Sequence, residues 1–422
     1  MAARDKVAAL SAPAELAGPT LAEIREARER ISVVIDTTPM EKSRYLRELL
    51  GQDVYFKAEN LQRTGSYKIR GAFNLMSQLS AEQRARGVVA ASAGNHAQGV
   101  ALAARELGIA ATIFMPLGVA LPKLQATRNY GAEVVLHGHV VDETLQAAAE
   151  FAERTGAIIV PPFDHPDVVA GQATLALEIL EQVPTVENVI VPIGGGGLIA
   201  GIASAFAQLA PEIGRRVRII GVQAENAAAY PPSLAAGEPV QITTAPTIAD
   251  GIVVGRPGDL NFTIIRDTVD EIVTVADDDT ARALVLLLER AKLVVEPAGA
   301  VGVAAALTGA YSVDGPTVIV LSGGNIDPMV MERVISRGLA AGERYLKLRI
   351  PLPDRPGQLA RTAELVAEAN ANVLEVLHTR HGSGLQISEV ELELHIETRG
   401  PEHAELVLAK LRDAGYRPRV DF

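Results

Sequence analysis

The chain has 422 residues, of which 48% are hydrophobic and 21% are charged, as is typical of a globular protein with two or three domains. Its net charge of −12 argues against nucleic acid or an anionic membrane as the main partner, because both favour a basic surface. Since there is no cysteine, disulfides, thiolate metal sites and cysteine nucleophiles are excluded.

Met1–Gly18 gives no indication of export. The segment is rich in alanine but contains Arg4, Asp5, Lys6 and Glu15, so it lacks the uninterrupted apolar core of a signal peptide. No stretch of the chain reaches the roughly 18 apolar residues of a membrane span. The absence of cysteine fits a reducing compartment. We therefore expect a cytoplasmic protein.

The first helix is predicted to begin after Thr20, because Thr20 and Glu23 have the spacing of a capping box. Beyond Pro39, short apolar runs alternate with alanine-rich helical stretches such as 97–107 and 141–154. The predicted strands are 54–57, 88–91, 111–115, 133–136, 158–160, 188–193, 217–222, 271–275 and 317–321. This alternation predicts an α/β fold with mostly parallel sheets, whose ligands bind at loops beyond the carboxyl ends of the strands.

The pattern changes after Gly338. Residues 339–344 resemble a linker, and the remainder, 345–422, is short. Its predicted elements are strand 345–352, helix 358–368, strand 373–379, strand 387–396, helix 402–414 and strand 417–420. This βαββαβ order is the ferredoxin-like arrangement. The chain is therefore expected to contain a large domain, 1–338, and a small carboxyl-terminal domain.

A reactive amine is the interpretation we favour for Lys68, which follows Tyr67 in the run Ser66–Ala72. Most lysines are exposed, and Lys68 taken alone would be interpreted as a solvated side chain. The glycine run Gly194–Gly197 changes that interpretation. It follows an apolar strand and precedes a helix, so its backbone N–H groups and the helix N-terminus suit a phosphate. Its spacing matches neither a P-loop nor the dinucleotide fingerprint.

Two further loops follow predicted strands and contain polar side chains. Ser92-Ala93-Gly94-Asn95-His96 opens a helix, and its hydroxyl, amide and N–H groups suit a carboxylate, although an ordinary helix cap explains this loop equally well. Ser322-Gly323-Gly324-Asn325 ends the last strand of the series, where the hydroxyl suits a ring nitrogen, but a simple turn is the better explanation in isolation. Glu296–Gly299 either lines the edge of a ring or starts a helix.

These segments, in this order, resemble the fold-type II family of pyridoxal 5'-phosphate (PLP) enzymes, and most closely the threonine and serine dehydratases, over residues 20–335. The resemblance implies a PLP-dependent catalytic domain, 1–338, with two α/β lobes, the smaller at about 58–160. The residues that would bind the cofactor are the Schiff-base lysine Lys68, the phosphate loop Gly194, Gly195, Gly196, Gly197 and Leu198, Asn95 on the phenolic oxygen and Ser322 on the pyridine nitrogen. The residues that would surround the substrate carboxylate are Ser92, Gly94 and His96.

Two departures from the family pattern bear on this site. Tyr67 stands where the family often has phenylalanine. Several members bind a cation through an acidic segment, and the matching stretch here, Gln223–Ala229, lacks two of the expected carboxylates. We therefore expect no metal.

The carboxyl-terminal domain, 345–422, resembles an ACT domain, the small amino-acid-sensing module, in Asp354–Leu359 and in Asn372-Val373. This resemblance implies allosteric regulation by an amino acid such as isoleucine or valine. A domain that only joins subunits is an equally good interpretation. The two resemblances together imply a homotetramer.

The implied activity is a β-elimination that converts L-threonine to 2-oxobutanoate and ammonia, with activity on L-serine as well. The reaction belongs to amino-acid metabolism, and both isoleucine biosynthesis and threonine catabolism use it. The nearest rival is a serine racemase or serine dehydratase. Racemases of this family place a serine immediately before Gly-Asn-His, where this chain has Ala93, which favours elimination. A non-catalytic amino-acid sensor is a third candidate, and the intact Lys68 and glycine run argue against it.

Overall fold

The computed structural model describes residues 17–380, 386 and 388–421. Residues 1–16, which include most of the segment that gave no indication of export, and Ile387, predicted to begin a strand, lie outside the described residues. The chain divides into two compact units between Met331 and Glu332. Across the described ranges, no helix has the length and apolar character needed to cross a membrane.

Helix α1 (Leu21–Ile31) begins as its capping box predicts. The Thr20 hydroxyl accepts a hydrogen bond from the backbone N–H of Glu23 at 3.3 Å, and the Glu23 carboxylate accepts one from the backbone N–H of Thr20 at 2.7 Å. Each bond satisfies an N–H group that has no partner inside the helix. Ile24 and Ile31 are fully buried, so this helix packs its apolar face on the first unit.

Thr20→Ala is expected to lower the free energy of unfolding by about 0.5–2 kcal/mol, because it removes the acceptor for the Glu23 N–H. Urea denaturation followed by circular dichroism measures this loss. Ser32→Ala at the other end of the helix is the control, because the Ser32 hydroxyl donates only to a carbonyl in an exposed turn. Equal stability of the Thr20 and Ser32 variants would contradict the capping role.

Two separate sheets form the first unit, as the predicted pair of α/β lobes requires. The larger sheet has the order β1-β2-β10-β7-β8-β9 and contains β1 (Met40–Lys42), β2 (Val54–Lys57), β7 (Asn188–Pro192), β8 (Arg218–Ala224), β9 (Glu271–Val275) and β10 (Thr317–Val320). The smaller sheet has the order β5-β4-β3-β6 and contains β3 (Val88–Ala91), β4 (Ala111–Met115), β5 (Glu133–Leu136) and β6 (Ile158–Ile159). Only the β1–β2 pairing is antiparallel within these two sheets. The predicted α/β class is therefore confirmed.

Helices cover the central strands, which accordingly are buried along their whole length and are mostly apolar, without the alternation of a strand that has one exposed face. After α1, the helices of the first unit are α2 (Arg44–Leu50), α3 (Lys68–Ser77), α4 (Ala81–Arg86), α5 (Asn95–Leu107), α6 (Leu121–Asn129), α7 (Val141–Thr155), α8 (Pro166–Gln182), α9 (Gly197–Ile213), α10 (Tyr230–Ala236), α11 (Asp259–Thr268), α12 (Asp277–Leu286) and α13 (Pro297–Thr308). Helix α14 (Pro328–Ala341) spans the division between the units and includes residues 339–341 of the predicted linker.

Four charged side chains are buried beside α3 and form the buried ion cluster: Lys57, Glu59, Arg70 and Glu178. Arg70 Nε and Nη2 donate to the two carboxylate oxygens of Glu59 at 2.7 and 2.8 Å. Arg70 Nη1 donates to one oxygen of Glu178 at 2.6 Å, and Lys57 Nζ donates to the other at 2.7 Å. Two positive and two negative charges thus balance in the interior and tie α3 to α8 and β2.

The second unit has the predicted βαββαβ order. Its elements are β11 (Tyr345–Pro353), α15 (Gln358–Glu368), β12 (Asn372–Thr379), β13 (Glu389–Glu397), α16 (Pro401–Asp413) and β14 (Arg419–Asp421). The strands form an antiparallel sheet in the order β12-β13-β11-β14. Alternate residues of β11 and β13 are buried under the two helices, as the alternating sequence of 390–396 predicts.

Candidate active site

The loops that follow β3, β7 and β10 meet in the first unit around a cavity of about 840 Å³. This is the position at which parallel α/β sheets bind ligands. All of the predicted site residues line this cavity: Lys68, Ser92, Gly94, Asn95, His96, Gly194, Gly195, Gly196, Gly197, Leu198 and Ser322. The motifs that the sequence separates by as many as 254 positions, from Lys68 to Ser322, are therefore brought together by the fold.

Lys68 is the first residue of α3, and its amine reaches into the cavity. Its Nζ donates to the backbone carbonyl of Pro162 at 2.8 Å and lies 5.3 Å from the centroid of the Tyr67 ring. Burial lowers the pKa of Lys68 to about 8, although the charge of Glu296 opposes that change. About a tenth of this amine is therefore uncharged at pH 7, a far larger share than in an ordinary lysine, and the uncharged form is the nucleophile.

The glycine run forms a cradle in which side chains have no room. A Cβ atom on Gly195 would lie 2.4 Å from the Phe163 ring, and one on Gly197 would lie 2.9 Å from the Phe163 carbonyl oxygen. Gly196 has φ +97° and would place a Cβ 2.0 Å from the Tyr230 hydroxyl. Backbone N–H groups consequently approach the cavity closely at the start of α9, an arrangement that fits the phosphate of PLP.

The loop after β3 presents donors at the N-terminus of α5. The Ser92 hydroxyl accepts from the Gly94 N–H at 3.1 Å, which leaves the hydrogen of the hydroxyl available. His96 Nε2 lies 2.8 Å from the carbonyl oxygen of Val160, which only accepts, so this nitrogen carries the proton. Burial and the charge of Lys68 lower the pKa of His96 to about 3, so the ring is neutral and Nδ1 has no hydrogen. Of the groups of His96, its backbone N–H is therefore the one that can donate to a carboxylate, while its ring cannot.

Asn95 and Glu296 contact each other at the edge of the cavity. Asn95 Nδ2 donates to Glu296 Oε1 at 2.6 Å. Glu296 precedes α13 and is buried; burial, with a smaller contribution from Asp250, raises its pKa to about 7. The segment Glu296–Gly299 starts a helix, and Glu296 and Ala298 line the cavity, whereas its place along the edge of a ring stays a prediction.

Sequence reasoning missed an ion pair that joins the two lobes across this cavity. Lys123 Nζ of α6 lies 3.0 Å from Asp250 Oδ2. The Lys123 amine would also lie 3.7 Å from a Cβ on Gly94, so its charge is close to the loop predicted to hold a carboxylate. A lysine in the first turn of a helix has no local pattern that would identify it as part of a site.

Gln223 lies in the stretch that matches the cation-binding segment, and its side chain bonds to the backbone of nearby residues. Its Oε1 accepts from the Tyr230 N–H at 3.0 Å, and its Nε2 donates to the Ala227 carbonyl at 3.3 Å. Within the part of the chain that the structure describes, no group of three or more histidine, aspartate or glutamate side chains could hold a metal ion.

Comparison with known proteins identifies a family for the first unit. The model of a family described as "Pyridoxal-phosphate dependent enzyme" matches residues 31–323. The matched range contains Lys68, the loop after β3, the glycine run and Ser322.

Relatives match beyond the first unit. The chain is 50% identical over 394 residues to an L-threonine ammonia-lyase of Geobacter sulfurreducens, covering 93% of this chain and 97% of that protein. It is 47% identical over 402 residues to an L-threonine ammonia-lyase of Thermotoga maritima, covering 95% and 99% of the two chains. Among solved structures, maize serine racemase matches with a TM-score of 0.71 at 35% identity, covering 76% of this chain and 98% of that chain.

Proposed function

Because this chain belongs to the family of pyridoxal-phosphate dependent enzymes, we propose that it uses PLP to convert L-threonine to 2-oxobutanoate and ammonia. The observation that carries the proposal is the amine of Lys68 in the same cavity as the glycine cradle. The relatives named L-threonine ammonia-lyase, at 50% and 47% identity over nearly the whole chain, support the choice of substrate. L-serine, which differs from threonine by one methyl group, is the expected second substrate.

Each part of the cavity has a proposed role. Lys68 holds the cofactor covalently, and the backbone of Gly194–Leu198 holds its phosphate. Asn95 donates to the phenolic oxygen, and Ser322 faces the pyridine nitrogen. The substrate carboxylate is held by the Ser92 hydroxyl and by backbone N–H groups between Gly94 and His96, where the N-terminus of α5 favours a negative charge.

Lys68 has a second role once the substrate is bound. Its amine, uncharged in part because burial lowers its pKa to about 8, accepts the proton from Cα. The bound cofactor supplies an electron sink for the pair that this proton leaves behind. The β-hydroxyl would then take up a proton and leave as water, and the enamine that results would tautomerise after its release and hydrolyse to 2-oxobutanoate and ammonia. A serine at the pyridine nitrogen does not protonate it as an aspartate would, which favours elimination over transamination.

The rate at which the cofactor-free protein recombines with PLP is expected to rise with pH through about 8, because the Lys68 ammonium loses its proton there. Below this pH, the rate should fall about tenfold per unit. Glu296→Gln should move the midpoint to lower pH, since the charge of Glu296 raises the pKa of Lys68. Stopped-flow absorbance measures both, and a rate that is constant from about pH 6 to about pH 9 would contradict the lysine assignment.

A serine racemase remains the nearest rival, since maize serine racemase shares the fold. Racemisation needs a second acid–base group on the opposite face of the substrate, and this chain has Ala93 where the racemases have a serine. Ala93 lines the cavity and has no group that exchanges protons. We therefore expect ammonia but no D-serine from L-serine, as chiral chromatography would measure.

Regulation and assembly are proposed for the second unit. We place the catalytic domain at 1–338, the linker at 339–344 and the ACT domain at 345–422, although α14 extends to Ala341. An amino acid such as isoleucine or valine is the proposed effector, and a cytoplasmic homotetramer of 44.5 kDa chains is the proposed assembly. Sedimentation analysis tests the tetramer.

The experiment that tests the function is ammonia release from L-threonine and from L-serine by the PLP-loaded protein, each measured with and without isoleucine. The expected result is turnover of both, with threonine preferred. Stoichiometric PLP without ammonia release would favour the non-catalytic sensor. An unchanged rate with both isoleucine and valine would contradict the proposed regulation but not the reaction.

A further inference from the structure

A chain of hydrogen bonds determines which way the Asn95 amide faces. Asn325 Nδ2 donates to the backbone carbonyl of Thr64 at 2.7 Å. Because a carbonyl oxygen only accepts, this contact identifies the NH2 group of Asn325. The same NH2 group donates to Asn95 Oδ1 at 2.8 Å. The oxygen of the Asn95 amide is therefore directed at Asn325, and its NH2 group is directed the other way.

The NH2 group of Asn95 has two hydrogens, and Glu296 Oε1 accepts one of them. Asn95 and Glu296 both line the cavity that contains the Lys68 amine. One turn after Asn95, Gly99 packs on the backbone of Lys68, because a Cβ at Gly99 would lie 3.1 Å from the Lys68 carbonyl carbon. The first turn of α5 is thus placed against the start of α3.

Two glycines make room for this chain of hydrogen bonds. Gly65 has φ +70°, and a Cβ there would lie 2.4 Å from Asn325 Oδ1. A Cβ on Gly323 would lie 2.3 Å from Glu296 Oε1 and 3.1 Å from Asn95 Nδ2. Any side chain at either position would displace the contacts that orient Asn95.

We propose that Asn325 is a positioning residue: it orients the Asn95 amide so that the NH2 group, and not the oxygen, meets the phenolic oxygen of bound PLP. This inference rests on the proposed function. A donor stabilises the anionic form of the phenolic oxygen and lowers its pKa. A reversed amide would instead place two oxygens against each other. Asn325 does not itself line the cavity, so it would act on the cofactor through Asn95.

Asn325→Asp tests this role in the full-length protein loaded with PLP. An ionised carboxylate only accepts hydrogen bonds, so it would attract the NH2 group of Asn95 and reverse its amide. The pH at which the visible absorbance of the bound cofactor titrates should then rise by about one to two units, the equivalent of a lost hydrogen bond to a charged group. Cofactor stoichiometry should not change, because the glycine cradle is untouched.

Asn188→Asp is the matched control. Asn188 is buried, and its Nδ2 donates to the carbonyl of Asp314 at 2.8 Å, but it lies at the start of β7, the end opposite the glycine run. This variant should lose stability without a spectral shift. A second test combines Asn325→Asp with Asn95→Ala: if Asn325 acts through Asn95, the double variant shows the same shift as Asn95→Ala alone.

Two results would overturn the positioning role alone. The first is a folded Asn325→Asp variant whose visible absorbance titrates at the wild-type pH. The second is a double variant whose shift in that pH equals the sum of the shifts of Asn325→Asp and Asn95→Ala. If Asn325→Asp does not fold, Asn325→Ala is judged by the same two criteria, with a smaller expected shift because its Asn95 amide is free to rotate. A wild-type protein that binds no PLP would overturn the proposed function together with this inference.

Discussion

Lys68→Ala is expected to abolish turnover of threonine and to remove the visible absorbance of the bound cofactor. The expected loss in kcat is at least about 10³-fold, because one side chain both anchors the cofactor and accepts the Cα proton. The geometry allows no obvious substitute: Lys123, the other lysine that lines the cavity, is paired with Asp250 at 3.0 Å. Borohydride treatment followed by peptide mapping measures the covalent attachment directly.

Lys68→Arg and Lys42→Ala are the controls for this experiment. Arginine keeps a positive charge but does not lose its proton near neutral pH, so Lys68→Arg should be as inactive as Lys68→Ala. Lys42 is a half-exposed lysine paired with Asp53, and its replacement should leave activity unchanged. A pyridoxyl adduct on any other lysine of the wild-type protein would show that Lys68 is the wrong residue.

The sequence predicts the loops that build the cavity because each loop is a local pattern. Lys68 beside Tyr67, the glycine run and the Ser92 loop all follow from a strand, a turn and a helix that are adjacent in the chain. Contacts across the cavity have no such pattern. The Asn95–Asn325 bond joins residues 230 positions apart, and the Lys123–Asp250 pair joins residues 127 apart.

The contrast between local patterns and distant contacts also explains why two predicted element boundaries differ from those in the structure. The strand predicted at 217–222 extends in the structure from Arg218 to Ala224, since pairing with β9 continues to Ala224. Helices often end at a glycine in the left-handed conformation, and Gly338 is where the sequence pattern changes. Gly338 is buried, however, and does not have a positive φ, and α14 continues past it to Ala341. Local propensity cannot reveal either effect, because tertiary contacts decide both.

The structure places His96 where the sequence predicts it but limits what its side chain can bind. Sequence reasoning placed His96 at the substrate carboxylate, and the structure places it in the cavity. However, its only ring proton is donated to the Val160 carbonyl, and its low pKa keeps the ring neutral. We therefore expect His96→Asn to weaken substrate binding less than Ser92→Ala does, because the backbone N–H survives the first change.

The buried ion cluster gives the largest expected effect on stability. Arg70 is fully buried and neutralises Glu59 and Glu178, with which it makes three hydrogen bonds of 2.6–2.8 Å. Arg70→Met would leave two buried carboxylates with Lys57 as the remaining cation of the cluster. Breaking a buried pair in this way costs about 3–5 kcal/mol. Urea denaturation of the cofactor-free protein measures the loss.

Arg25→Met is the control, because Arg25 also contacts both carboxylate oxygens of one glutamate, Glu212, through its Nη2, but both side chains are about half exposed, at 54% and 49%. Solvent screening limits that pair to about 1 kcal/mol or less. The loss of stability for Arg70→Lys should fall between the losses for the two methionine variants, since lysine keeps the charge but lacks the fork that reaches both carboxylates.

The two methionine variants should also differ in cofactor binding. Arg70 lies two residues after Lys68 on α3, so Arg70→Met should weaken PLP binding, whereas Arg25→Met should not. Equal unfolding midpoints for the two methionine variants would mean that the cluster does not hold α3 in place.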